Sequence, residues 1–209
     1  MMQRTPTNLQ GMTRQFDESV TDEDLKKLPV MQFEGKVRLI DNTQKFRQAM
    51  REISRCKILG FDTETRPSFK KGTRHKVSLL QLADDQIAWL FRLNMMGLPP
   101  ELTALLSNPD IVKVGVAVHD DIKALRHLEP FEPGGFVDLQ TVVADHGIKQ
   151  LGLKRLSAII LGFSISKSQQ TSNWEAPGLT PPQQVYAATD AWVCRRIYLQ
   201  LNGKANYQI

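Results

Sequence analysis

An apolar run that ends in two carboxylates constrains this chain more than any other feature. Residues 56–61 (CKILGF) are short, apolar and bounded by polar residues, which predicts a central strand buried on both faces. Asp62-Thr63-Glu64 follows at once. Strand alternation sends Asp62 and Glu64 to the same face, so two carboxylates meet at the end of a buried element. Such neighbours repel each other and resist desolvation unless a cation is held between them. The bland alternative is a polar strand end whose Asp62 caps a turn, and an isolated Asp-x-Glu is common.

The surroundings of that strand define the fold class. A strand is expected at 37–40, then a helix at 43–53 opened by Asp41 or Asn42 as its cap. Strands at 77–82 and 87–91 flank Ala83-Asp84-Asp85-Gln86, a polar turn of hairpin length. Pro99 and Pro100 open a helix carrying Leu102, Leu105 and Leu106, and Asn108-Pro109 ends it before a strand at 111–116. Beyond it the pattern is helical near 120–128, 138–147, 153–161 and 181–200, with no further strand expected. Strands first, a crossover helix within them and helices afterwards describe an α/β mixed sheet covered by helices.

A chain of 209 residues with 41% hydrophobic content suffices for one domain with its own core. Residues 1–25 read as a polar N-terminal tail, with a short helix beginning near Thr21, and 26–209 as the domain. No run approaches the ~20 apolar residues of a membrane span, and the N-terminus lacks the apolar block of a secretion signal. A cytoplasmic protein without membrane contact is expected. Cys56 and Cys194 have no metal-ligand spacing and read as reduced thiols.

Two further acidic motifs follow. At Asp120-Asp121 a strand gives way to a helix, and Asp121 shares a stripe with Ala124, Leu125 and Leu128, so it points inward and needs a partner. Asp120 takes the ordinary place of an acid at a helix start. In LTPPQQVYAATD (179–190), Thr180 as cap, Pro181 at the first position and Gln183 three residues after the cap predict a capping box. Tyr186 and Asp190 then lie one turn apart on one face, beside the small residues Ala187 and Ala188. The bland alternative is a packed tyrosine bonded to a nearby acid.

The net charge of +5 permits a polyanionic partner without requiring one. Its distribution says more: Arg66, Lys70, Lys71, Arg74 and Lys76 crowd one stretch immediately after the first carboxylate motif. A basic loop there can guide phosphates, although a solvated loop is the ordinary explanation.

Together GFDTET (60–65), KVGVAVHDDIKAL (113–125) and SNW with LTPPQQVYAATDAW (172–192) resemble the exonuclease domain of the ribonuclease D and Werner-type 3′-5′ exonucleases, the tyrosine branch of a four-carboxylate superfamily. The resemblance covers about residues 35–203. It implies a ribonuclease H-like sheet, Asp62, Glu64, Asp121 and Asp190 as ligands of two divalent cations, magnesium or manganese, and Tyr186 orienting the attacking water. In it Asp62 bridges both ions, Glu64 and Asp190 complete the ion that binds the water, and Asp121 holds the second. Lys167 falls where a lysine touches phosphate, Trp174 where a ring packs or stacks on a base, and Leu151 to Leu156 where leucines of a supporting helix form core. The implied partner is a nucleic acid with a single-stranded or frayed 3′ end. The Arg66-Pro67-Ser68-Phe69 start of the basic loop leans to the Werner type and so to DNA over RNA. Within 209 residues neither a helical nucleic-acid-binding domain nor a helicase is expected beside the nuclease, so affinity is expected from the domain, its tail, an oligomer or a partner, and no oligomeric state is assigned. The rival from another class is a nucleic-acid-binding or scaffold module that keeps the fold without turnover; degenerate members usually lose a carboxylate, and here all are present.

Overall fold

The computed structural model describes residues 16–68 and 75–203. Its elements are α1 (Asp22–Lys27), β1 (Lys36–Ile40), α2 (Thr43–Ile53), β2 (Ile58–Thr65), β3 (Val77–Ala83), β4 (Ile87–Arg92), α3 (Leu93–Met96), α4 (Pro100–Ser107), β5 (Val112–Gly115), α5 (Val118–Arg126), β6 (Phe136–Asp138), α6 (Leu139–Ala144), α7 (Leu153–Leu156) and α8 (Pro181–Leu201). The sheet runs β1-β4-β3-β2-β5-β6. The pairs β2–β3 and β3–β4 are antiparallel and the other three parallel, so the sheet is mixed and β2 is central.

Alternation along β2 sorts the two cores. Leu59 and Phe61 face one side with Leu80, Leu82, Trp89 and Phe91, packed against Phe46 and Ile53 of α2, Leu102 and Leu106 of α4 and Leu125 of α5. The opposite side is covered by α8, with Ala188, Ala191, Val193 and Ile197 buried alongside Val114, Leu139 and Leu156. Trp174, Tyr186 and Ala187 complete that side over Leu79 and Leu90.

Local signals fix the helix starts. Asn42, not Asp41, caps α2, its Oδ1 accepting from the Lys45 amide at 3.1 Å. The capping box of α8 forms in both directions: the Gln183 amide donates to Thr180 Oγ1 at 3.4 Å and the Thr180 amide to Gln183 Oε1 at 2.9 Å.

Several expectations need correction. A further strand exists: β6 pairs in parallel with β5, Lys113 opposite Phe136 and Gly115 opposite Asp138. Three residues are too few to display alternation, and Pro130, Pro133, Gly134 and Gly135 before them read as loop. The helix at 138–147 ends at Ala144, and that at 153–161 is α-helical only to Leu156, continuing as a π turn over Ser157–Leu161 that stops at Gly162 with φ 76°. In the supporting segment Leu153 and Leu156 are core, whereas Leu151 is exposed.

The N-terminal segment lies against the domain. The Lys149 amide donates to the Glu18 carbonyl at 2.8 Å, the Val20 amide to Gln150 Oε1 at 2.9 Å, and Leu25 of α1 is buried. No helix among the described residues is long and apolar enough to cross a membrane.

Candidate active site

β2 does not stop before the acidic motif but runs through it, so Asp62 and Glu64 are strand residues on the face covered by α8. What brings α8 to them is Gly60, two residues earlier on that face. A Cβ there would lie 1.7 Å from the Ala191 carbonyl oxygen. The bare backbone of β2 therefore touches the backbone of α8, and Ala187, Ala188 and Ala191, all fully buried, keep the helix flat against the sheet. Asp190 is the residue beside that contact, and it is delivered to the strand carboxylates. Ligand oxygens of Asp62, Glu64 and Asp190 lie within 4.8 Å of one another.

Three carboxylates so placed cannot all ionise without help. Burial, then the charges of Asp190 and Asp121, push Asp62 well above the usual carboxylate range. Glu64 is pushed up to about 9 by burial and by Asp62 and Asp190. Burial raises Asp190 to about 6, while Lys167 and the Tyr186 hydroxyl draw it down. Oδ1 of Asp190 is buried with no hydrogen-bond partner among the described residues. Hard oxygen donors at this spacing, one of them orphaned, fit a divalent cation, which removes the repulsion and supplies the missing partner.

Asp121 approaches from the other side of the sheet. It stands in the first turn of α5, half-buried where Asp120 is exposed, in accord with its inward stripe. Its Oδ1 accepts a hydrogen bond from the hydroxyl of Thr63, the residue of β2 that alternation sends away from Asp62 and Glu64. Burial pushes it up to about 6, with Asp120 and Asp138 adding to the rise and the Thr63 bond opposing it. Asp62, Glu64 and Asp190 thus group on one face, and Asp121 stands across the strand end, close enough for its charge to reach Asp62 and Glu64.

Tyr186 is buried, its ring against Trp174 at a centroid distance of 6.0 Å. Burial and the charges of Asp190 and Glu64 raise its phenol above the ordinary value, so it stays a proton donor. Trp174 is fully buried, which makes it a packing residue. Lys167, half-buried, lies near enough to stabilise the charged forms of Asp62, Glu64 and Asp190.

Of the basic loop, Lys70, Lys71 and Arg74 lie outside the described residues. Its two ends are visible and share an anchor: Arg66 Nη1 is 3.4 Å and His75 Nδ1 3.8 Å from the Glu175 carboxylate. Lys76 is exposed beside them.

Gly60, Thr63 and Asp138 also build the site, although none is among the residues expected from the sequence. A glycine inside an apolar strand signals close backbone approach and was available to be read. The Asp138 contact was not: its Oδ1 accepts from the Ala117 amide at 3.0 Å, holding the turn into α5, where Ala117 adopts the left-handed φ of 55°.

The family profile described as 3′-5′ exonuclease matches residues 37–206. Exonuclease 3′-5′ domain-containing protein 2 of Drosophila melanogaster is 38% identical over 149 residues, 69% of this chain and 25% of that protein. The bifunctional 3′-5′ exonuclease/ATP-dependent helicase WRN of Mus musculus is 36% identical over 154 residues, 70% of this chain and 11% of that protein. The chain thus spans a quarter or less of the length of these relatives. Among solved structures, ribonuclease D of Trypanosoma brucei superposes with a TM-score of 0.70 over 84% of this chain and 64% of its own, at 20% identity, which shows the shared ribonuclease H-like fold. With the sheet, the carboxylates at the end of its central strand and this match over most of its length, the chain belongs to the 3′-5′ exonuclease family.

Proposed function

We propose that the chain removes nucleotides one at a time from the 3′ end of a nucleic-acid strand by metal-dependent hydrolysis, taking single-stranded or frayed ends and favouring DNA over RNA. The observation that carries this is the triad: three carboxylates whose oxygens lie within 4.8 Å, in a setting that drives each pKa up, form an arrangement that is costly unless cations occupy it.

Asp62, a member of the triad that also feels the charge of Asp121, would help hold both of two magnesium or manganese ions, with Glu64 and Asp190 at one and Asp121 at the other. When bound, two such ions polarise the scissile phosphate and clamp the attacking and leaving oxygens of an in-line displacement. The chain's own residues do the rest. Tyr186 keeps its proton and uses its hydroxyl to orient the attacking water; a phenol that burial holds above its ordinary value is a donor and not a general base. Lys167 beside the carboxylates offers its ammonium to a phosphate oxygen, and Arg66, Lys76 and the loop residues Lys70, Lys71 and Arg74 attract the strand.

The preference for DNA rests on the Werner-like start of the basic loop. Against it stands the ribonuclease D structure, a complex with the RNA U12. End-labelled DNA and RNA strands of matched sequence, incubated with and without manganese and with chelator, decide both points. Metal-dependent shortening from the 3′ end of DNA ahead of RNA is expected. Shortening unaffected by chelator would end the metal-dependent reading, and faster shortening of RNA would end the DNA preference.

A further inference from the structure

Gln81 is fully buried in β3, and neither Nε2 nor Oε1 has a hydrogen-bond partner among the described residues. A buried amide left in that condition loses its hydration without compensation, so the side chain needs a counterpart. Its surroundings leave few. Along β3 its neighbours on the same face are Leu79 and Ala83, and across on β4 it meets Leu90, all apolar. Across on β2 its register partner is Asp62. Antiparallel partners point to the same side with Cβ atoms about 4.5–5.5 Å apart, so the amide and the carboxylate share one small volume beneath α8. Trp174 packs over Leu79 and Leu90, which flank Gln81, and its indole Nε1 is also buried without a partner. Asp190 Oδ1 is a third such atom in the layer between sheet and α8. The donors, an amide and an indole, are matched by acceptors, the amide oxygen and the carboxylates.

We propose that Gln81 is a positioning residue for Asp62: its amide N–H donates through one buried water to the Asp62 carboxylate across the strand pair and fixes the rotamer in which that carboxylate presents its oxygens to the cations. The inference rests on the metal reading of the triad. Hydrogen-bond partners of metal-binding carboxylates set the orientation of their ligands, and removing one typically weakens metal affinity or activity by about 10–100-fold.

The test is Gln81→Met, similar in length and volume but unable to hydrogen-bond, with Gln81→Leu read the same way should the first variant not fold. Manganese uptake without nucleic acid is measured by the electron paramagnetic resonance of free Mn2+, together with thermal melting in chelator and single-turnover rates at saturating manganese. Expected are a melting temperature equal to or above the wild type, Mn2+ affinity weaker by about 10-fold or more, and a lower rate with the Michaelis constant for the strand unchanged. Mn2+ affinity within twofold of the wild type, whatever the melting temperature, overturns the assignment and leaves Gln81 a packing residue. Failure of the wild type to take up Mn2+ overturns the metal reading, and this inference with it.

Discussion

Replacing Gly60 by alanine should separate α8 from β2 and dismantle the carboxylate triad without touching a carboxylate. The added Cβ would stand 1.7 Å from the Ala191 carbonyl oxygen and 2.6 Å from its carbon, where real Cβ contacts essentially never fall under 3.0 Å, so the two backbones must part by about 1.3 Å. Neither side can yield by a rotamer change, because both are backbone. A cation site tolerates ligand displacements of only about 0.2 Å, and the triad draws two members from β2 and one from α8. The part that moves therefore carries Asp190 out of reach. Forced overpacking costs about 1–3 kcal/mol and occasionally more. At about 2–4 °C per kcal/mol for a domain of this size, the melting temperature should fall by up to about 12 °C while the fold persists. Manganese uptake and exonuclease rate should fall far more steeply than stability. Gly152→Ala is the control: it has φ −80° and open space around it, and should leave metal uptake and rate unchanged, with at most the small loss of stability expected for alanine at the N-cap of α7. Wild-type melting, metal uptake and rate in Gly60→Ala would refute the view that backbone contact at Gly60 sets the triad.

Asp62→Asn should abolish activity while leaving the melting temperature in chelator equal or higher, because it removes a bridging ligand and relieves repulsion in the metal-free site; a variant that keeps most of its activity ends that assignment. Tyr186→Phe should slow single turnover by about 10-fold or more with little change in the Michaelis constant, since the ring keeps its packing on Trp174 and only the orienting hydroxyl is lost; equal rates would make Tyr186 a core residue. In chelator, stability should fall as pH rises from 5 to 8. Burial pushes Asp190 and Asp121 up to about 6 and Glu64 up to about 9 in the fold, above their ordinary 3.8 and 4.5, so the folded chain holds more protons than the unfolded one and loses that stabilisation as pH climbs toward the folded values. Asp24, Asp41 and Glu52, whose pKa values are lowered, act in the opposite sense but only below that window. Saturating Mn2+ should remove the decline, because metal binding requires the deprotonated ligands. A melting temperature that rises with pH in chelator would contradict the shared burial of these acids.

The sequence alone determined whatever depends on neighbours along the chain. The apolar run into Asp62-Thr63-Glu64 specified a buried strand with two carboxylates on one face, and the capping box at Thr180 fixed where α8 begins and hence that Tyr186 and Asp190 share a face one turn apart. The inward stripe of α5 distinguished Asp121 from Asp120 for the same reason. These signals are periodicities and caps, which are local by nature. What only the tertiary structure decided are relations across the sheet. β6 is too short to carry a period and exists because β5 offers it an edge. Asp121 reaches the strand end from the opposite face, through Thr63, because alternation gives Asp62 and Thr63 to different sides and α5 packs on the side that α8 does not cover. Asp62 faces Gln81 only through the antiparallel register of β2 and β3, and Asp190 arrives only because glycine at position 60 lets two backbones touch. Registers and close approaches arise between segments far apart in the chain, where a one-residue slip would turn every side chain to the other face, so no local pattern encodes them.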